Sequence, residues 1–132
     1  MIRVLALFVT LLAGICVSQV RAADGEDTYV GYIELKPFVT NFGTPDNVRF
    51  IKAEVTLQVS SEAAHHRVNA HKAQLRNDLV FLFSAQDDSS LESVAAQERL
   101  AGEALQVVQK VMIEETGEPQ VNDLFFTSLV TQ

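Results

Sequence analysis

The sequence is poor in several residue types, and each shortage removes a class of function. Cysteine occurs once, at Cys16, inside the N-terminal apolar run. A chain cut after that run carries no thiol, so disulfides, zinc thiolates and a cysteine nucleophile are all excluded from the domain that follows. Tryptophan is absent, which weakens any case for a sugar-stacking or base-stacking site. The glycines beyond the first twenty residues, Gly25, Gly31, Gly43, Gly102 and Gly117, stand alone, so there is no glycine-rich loop to cradle a phosphate. No GxSxG elbow is present, and the serines fall at caps and turns. Basic residues are scarce. Without Arg3 and Arg21 the remainder holds 8 basic and 17 acidic residues, a net of −9. Phosphate backbones are bound by clustered lysine and arginine, so nucleic acid is not an expected partner. The acidity favours solubility and repulsion between copies instead.

The 132 residues suit one folded domain behind an address. Met1-Ile2-Arg3 supplies one positive charge, Val4 to Val17 is apolar, and Ser18 to Ala22 ends on a small residue. That order is a secretory signal peptide over residues 1–22 with cleavage after Ala22. The run falls short of the roughly 20 apolar residues of a membrane span. An uncleaved anchor, stretched to Val20, is the alternative. A lipid-attachment site fits less well, because Cys16 lies one residue too far from Leu12. Residues 23–28 read as a short polar linker, and residues 29–132 as an exported, periplasmic domain.

Within that domain Tyr29 to Leu35 and Phe38 to Phe42 form an extended stretch broken at Lys36-Pro37. Proline has no N–H for a ladder, so Pro37 marks an edge or a bulge. Gly43-Thr44-Pro45-Asp46-Asn47 is a turn. From Val48 to Val59 the alternation is strict: Ile51, Ala53, Val55, Leu57 and Val59 on one face, Lys52, Glu54, Thr56 and Gln58 on the other. The short turn predicts an antiparallel hairpin. Ser60-Ser61 caps a helix predicted to run unbroken from Glu62 to about Ser84 on Ala64, Val68, Leu75, Leu79 and Phe83. Ser89 and Glu92 have capping-box spacing for a second helix from Ser90 to about Glu115, with Leu91, Val94, Leu100, Ala104, Val107, Val108 and Val111 inward and Gly117 as its stop. The last stretch, Val121 to Gln132, is a buried strand with Phe125 and Leu129 on one face and Leu124, Phe126 and Val130 on the other. The expected fold is α+β, strand-strand-helix-helix-strand, a mostly antiparallel sheet with two helices packed on it.

His65, His66 and His71 are the one cluster with chemistry in reach. Their separations of one, five and six residues do not match the three- or four-residue spacing of a helical metal site. They read better as solvated or half-buried helix residues. Glu92, Glu98, Glu103, Glu114 and Glu115 are spread along the second helix and read as its wet face. No catalytic, cofactor or metal residue is assigned.

Four stretches together resemble FliL, the flagellar basal-body-associated family: YIELKPFVTNF (Tyr32 to Phe42), RFIKAEVTLQV (Arg49 to Val59), LRNDLVFLFSAQ (Leu75 to Gln86) and LFFTSLVTQ (Leu124 to Gln132). The resemblance implies a periplasmic domain of the stomatin/prohibitin (SPFH-like) type. It implies a ring-like homo-oligomer near the stator proteins MotA and MotB, a role in motor output, swarming and chemotactic motility, and neither enzymatic activity nor a cofactor. The matched motif residues are Pro37, Phe38, Arg76, Asp78, Ser84, Phe126, Thr127 and Gln132. Arg76 and Asp78 are the candidates for a polar contact, within the domain or between copies; a solvent-exposed pair is the alternative. The chain departs from the family at its short, cleavable-looking front and at Thr131, where an aliphatic residue is usual. A periplasmic adaptor of another envelope complex is the competing reading.

Overall fold

In the computed structural model, which describes residues 29–132, one central strand organises the sheet. This is β3, Asn47–Val59. On one side it pairs with β1 (Gly31–Glu34) and β2 (Phe38–Thr44), which follow one another along its length. On the other it pairs with β4 (Val121–Thr131). Every pairing is antiparallel. The strict alternation of β3 suits this place: Ile51, Ala53, Val55, Leu57 and Val59 are all buried. Residues 1–22 and 23–28, read above as signal or anchor and linker, lie outside the described residues.

The β2–β3 hairpin closes on the pair Thr44 and Asn47, leaving Pro45 and Asp46 as the turn. Gly43 has φ 96°, and a Cβ there would stand 2.5 Å from the Asn47 carbonyl oxygen, so only glycine fits. Between β1 and β2 the register moves by one. Leu35, Lys36 and Pro37 face only Glu54 and Val55 of β3. Pro37 therefore lies both on an edge and in a bulge, where its missing N–H breaks no ladder bond.

The helices lie on one face of the sheet. α1 (Glu62–Ala70) begins at Ser61, whose hydroxyl accepts from the Ala64 N–H at 3.0 Å. α2 (Lys72–Ser84) packs over β2, and α3 (Val94–Thr116) over β4. Leu75, Leu79 and Phe83 of α2 and Leu100, Ala104, Val108 and Met112 of α3 close the core. α3 stops at Gly117, φ 86°, whose N–H returns to the Ile113 carbonyl at 2.9 Å.

Three expectations are corrected. The first helix is two, because His71 interrupts it. The His71 ring Nδ1 lies 2.8 Å from the Arg67 carbonyl, the group its own N–H would bond in a continuous helix, and that N–H turns to Val68 instead. There are thus three α-helices rather than two. The second correction concerns the start of α3. Asp87, not Ser89, forms the capping box, with Ser90, and it closes a single 3-10 turn over Asp88–Ser90. α3 then starts later, capped by Ser93, which accepts from the Ala96 N–H at 3.0 Å. Leu91 is buried as expected, but Val94, the first residue of the helix, is 74% exposed. The third is the facing of β4. Its register against β3 slips at Thr127 and again at Asn122. Each extra residue shifts the alternation by one. Val121, Leu124, Phe126 and Leu129 consequently share the core side, while Phe125 and Val130 face out.

Among the described residues no helix is long and apolar enough to cross a membrane.

Candidate interaction surface

Six of the eight motif residues gather in two places, one on each side of β3. At the β1–β2 edge, Arg76 of α2 reaches down to the bulge. Its Nη1 donates to the Lys36 carbonyl and its Nη2 to the Pro37 carbonyl at 3.3 Å. Its guanidinium carbon stands 4.3 Å from the centroid of the Phe38 ring. A bulge leaves carbonyls without ladder partners, and a planar fork with a cationic face meets both the carbonyls and the aromatic ring below them. Phe38 in turn meets Phe83 edge-on at 5.3 Å, and Phe83 meets Phe126 at 5.9 Å. An aromatic chain thus runs from the Arg76 edge through the core to β4. Pro37, Phe38, Arg76 and Phe126 belong to one continuous structure.

On the β4 side, Thr127 is the extra residue of a bulge, and its hydroxyl donates to the Glu54 carbonyl at 3.3 Å. Gln132 extends the ladder past the end of β4: its N–H donates to the Phe50 carbonyl at 2.8 Å, and its own carbonyl accepts from the Phe50 N–H at 2.7 Å. The last residues of this sequence are therefore held by pairing, but not as the buried strand expected: β4 pairs with β3 alone, and only Val121 and Leu124 in it are buried. Arg49 adds a tie that the sequence did not signal. It pairs with Asp88, donates to the Thr131 hydroxyl at 3.3 Å and lies 5.4 Å from the Phe42 ring centroid. It joins β2, β3, β4 and the 3-10 turn. The Thr131 hydroxyl accepts a hydrogen bond that an aliphatic side chain could not.

Asp78 does not meet Arg76. It lies with Phe81, Leu82, Val107 and Lys110 along the groove between α2 and α3, and the amide of Asn77 is 3.4 Å from its carboxylate. Ser84 closes α2 by donating to the Phe81 carbonyl at 3.0 Å. The three histidines take separate partners, although the rings of His65 and His66 lie edge-on with centroids 6.4 Å apart. His65 is 3.3 Å from the Tyr29 hydroxyl, His66 is 3.7 Å from Glu62, and His71 is 3.9 Å from Glu115. Among the described residues no group of three or more histidine, cysteine, aspartate or glutamate side chains comes together. The Ser89 hydroxyl, the Ser90 hydroxyl and the Ser90 N–H hold the Asp87 carboxyl below its ordinary range, and this serves the cap.

Among the described residues nothing packs over the sheet face away from the helices. Tyr32, Val39, Val48, Phe50, Phe125 and Val130 are all exposed there, Phe50 by 52% and Val39 by 65%. The strand register arranges them in rows: Val39–Lys52–Val130, Asn41–Phe50–Gln132 and Glu34–Thr56–Phe125. An open depression of about 420 Å³ lies among Val39, Phe50, Lys52, Ser128, Val130 and Gln132. A second, where both bulges leave β3, is lined by Glu34, Pro37, Glu54, Thr56 and Thr127. Grouped apolar side chains of this kind mark contact surfaces rather than reactive clefts.

The described residues define an α+β domain with an antiparallel sheet, helices on one face and exposed apolar side chains on the other. The flagellar basal body-associated protein FliL family matches residues 32–132, and the chain belongs to that family. Two relatives are the flagellar proteins FliL of Escherichia coli K12 and of Shigella flexneri. Each is 25% identical over 99 residues, which cover 75% of this chain and 63% of the relative. The match thus spans less than two thirds of the relatives' own length.

Proposed function

We propose that the chain is a non-enzymatic accessory of the flagellar motor. It is exported and acts in the periplasm at the inner membrane, either held there by residues 1–22 or released from them. It self-associates, in a ring-like arrangement, beside the stator proteins MotA and MotB at the basal body. There it supports motor output, swarming and chemotactic motility. The domain is of the stomatin/prohibitin type. The observation that carries this reading is the family match over residues 32–132.

Affinity purification of the tagged full-length chain from cell envelopes tests it. Recovery of stator or basal-body proteins is the expected result. Recovery of a different envelope complex without them would replace this reading with that of a general periplasmic adaptor.

A further inference from the structure

His71 stands where α1 gives way to α2, with one ring nitrogen on its own backbone and the other toward the far end of α3. We infer that this residue is a proton-operated clasp: acid closes it on Glu115 and ties the α1–α2 junction to the end of α3, and rising pH opens it. The clasp goes beyond the motor role above and does not depend on it.

The tautomer decides how it works. Nδ1 lies 2.8 Å from the Arg67 carbonyl oxygen. A carbonyl only accepts, so the hydrogen of this contact sits on Nδ1 whether the ring is neutral or charged. The neutral ring therefore turns a bare lone pair on Nε2 toward the Glu115 carboxylate, 3.9 Å away, and two acceptors do not bond. A proton on Nε2 converts the same approach into a charge-assisted contact. No side chain has to cross the molecule, because the two groups already face each other. Histidine changes charge between about pH 5 and 8, so the clasp works around neutrality. Its contribution is present on the acid side and is lost as pH rises.

Both halves are set on fixed backbone. The His71 N–H donates to the Val68 carbonyl at 3.0 Å, and its carbonyl accepts from the Leu75 N–H at 3.1 Å, ending α1 and starting α2. Val68 and Leu75 are fully buried on either side of it. Glu115 precedes Thr116, whose hydroxyl donates to the Met112 carbonyl at 2.7 Å and accepts from the Gln120 amide at 3.0 Å. That network fixes the turn by which α3 leads into β4.

The surroundings leave Glu115 as the deciding charge. Arg67 and Lys72, on the helices that meet at His71, oppose a proton there, but Arg67 is exposed and screened by water. The partial charges of the two helix ends oppose one another. The sheet residues buried beneath α1 and α2, among them Ile33, Phe38, Leu57 and Val59, carry no charge. On α3, Glu114 lies along the groove with Asp78 and Lys110. Glu118, in the turn that follows, makes no ion pair with His71. The other histidines of α1 have partners of their own, the Tyr29 hydroxyl for His65 and Glu62 for His66.

Nuclear magnetic resonance of the full chain tests the clasp. Long-range proton–nitrogen correlations at about pH 8 should show neutral His71 in the Nδ1–H form, not the Nε2–H form that an unconstrained imidazole prefers. Between about pH 8 and about pH 5 the exchange protection of the His71 and Leu75 amides, corrected for intrinsic rates, should rise. The two side chains are 28% and 48% exposed, so the rise should be about two- to fivefold. Glu115→Gln removes the charge and leaves the ring on the Arg67 carbonyl. It should keep the Nδ1–H form and lose the rise, with an unchanged circular dichroism spectrum. His66→Ala should keep the rise whole. Neutral His71 in the Nε2–H form, protection that stays level or falls as pH drops, or a rise that survives Glu115→Gln would each overturn the proposal. A rise abolished by His66→Ala would assign the effect to the Glu62 pair and overturn it as well.

Discussion

Arg76 holds the Phe38 corner of the sheet from above, with its guanidinium carbon 4.3 Å from the ring centroid and its nitrogens on the carbonyls of Lys36 and Pro37. The contact joins α2 to a strand some forty residues away, at the point where the bulge leaves the backbone without ladder partners. Replacing Arg76 by alanine removes the fork and the cation over the ring together. The expected loss is about 2 kcal/mol in urea-induced unfolding. Lysine should recover only part of it, because an ammonium cannot serve two carbonyls and stack on a ring at once.

Deletion of Thr127 should be tolerated nearly as well as its replacement by alanine. The alanine variant loses one exposed hydroxyl contact to Glu54, about 0.5 kcal/mol. The deletion removes the extra residue, so Phe126, Ser128 and Leu129 face Val55, Glu54 and Ala53 one to one and Phe126 and Leu129 both stay on the core side; the cost should stay within about 1 kcal/mol. Thermal unfolding of the two variants side by side measures the difference. Amide exchange at Phe50 and Gln132 shows whether the terminal ladder survives.

Gly43 should not accept alanine. With φ at 96° and the Asn47 carbonyl oxygen 2.5 Å from where a Cβ would stand, the hairpin must open or strain. The expected destabilisation is about 1–3 kcal/mol by denaturant titration.

Asp87 gives the 3-10 turn a dependence on acid. Its carboxyl is held below the ordinary value of 3.8 by the hydrogen bonds from Ser89 and Ser90. A depressed folded-state value means the contribution is fully present above the unfolded value and is lost as pH falls through the folded one. Protection of the Ser90 amide should therefore decline below pH 3.8, and Asp87→Asn should abolish that decline. An identical acid profile in the variant would show that the cap does not depend on this carboxylate.

Much of the fold was legible in the sequence. The alternation of Ile51 to Val59 named the central strand, Pro37 signalled both edge and bulge, Ser61 and Gly117 marked helix ends, and the apolar close of the chain is a paired strand. What escaped has a physical cause in each case. Strand patterns assume a period of two, and a bulge such as Thr127 adds a residue without any turn signal. The break at His71 arises from a side chain taking a carbonyl from its own backbone, a competition that apolar periodicity does not record. The capping box moved to Asp87 because two serines and a carboxylate make a closer network there than Ser89 and Glu92 offer. Family motifs singled out Pro37, Phe38, Arg76 and Phe126, but their common connection runs through backbone carbonyls and Phe83 and is visible only in three dimensions. Arg49 carried no motif role, since its partners Asp88 and Thr131 are brought to it from distant segments.

The motor role is tested most directly by a clean deletion in the bacterium that makes this protein, scored for swarm expansion and for swimming in viscous medium, with filaments counted in the same cells. The account predicts reduced swarming and reduced swimming under load, with filaments assembled in normal number and motility restored by the wild-type gene. Unchanged motility in the deletion strain, with no second copy of the gene to compensate, would contradict it.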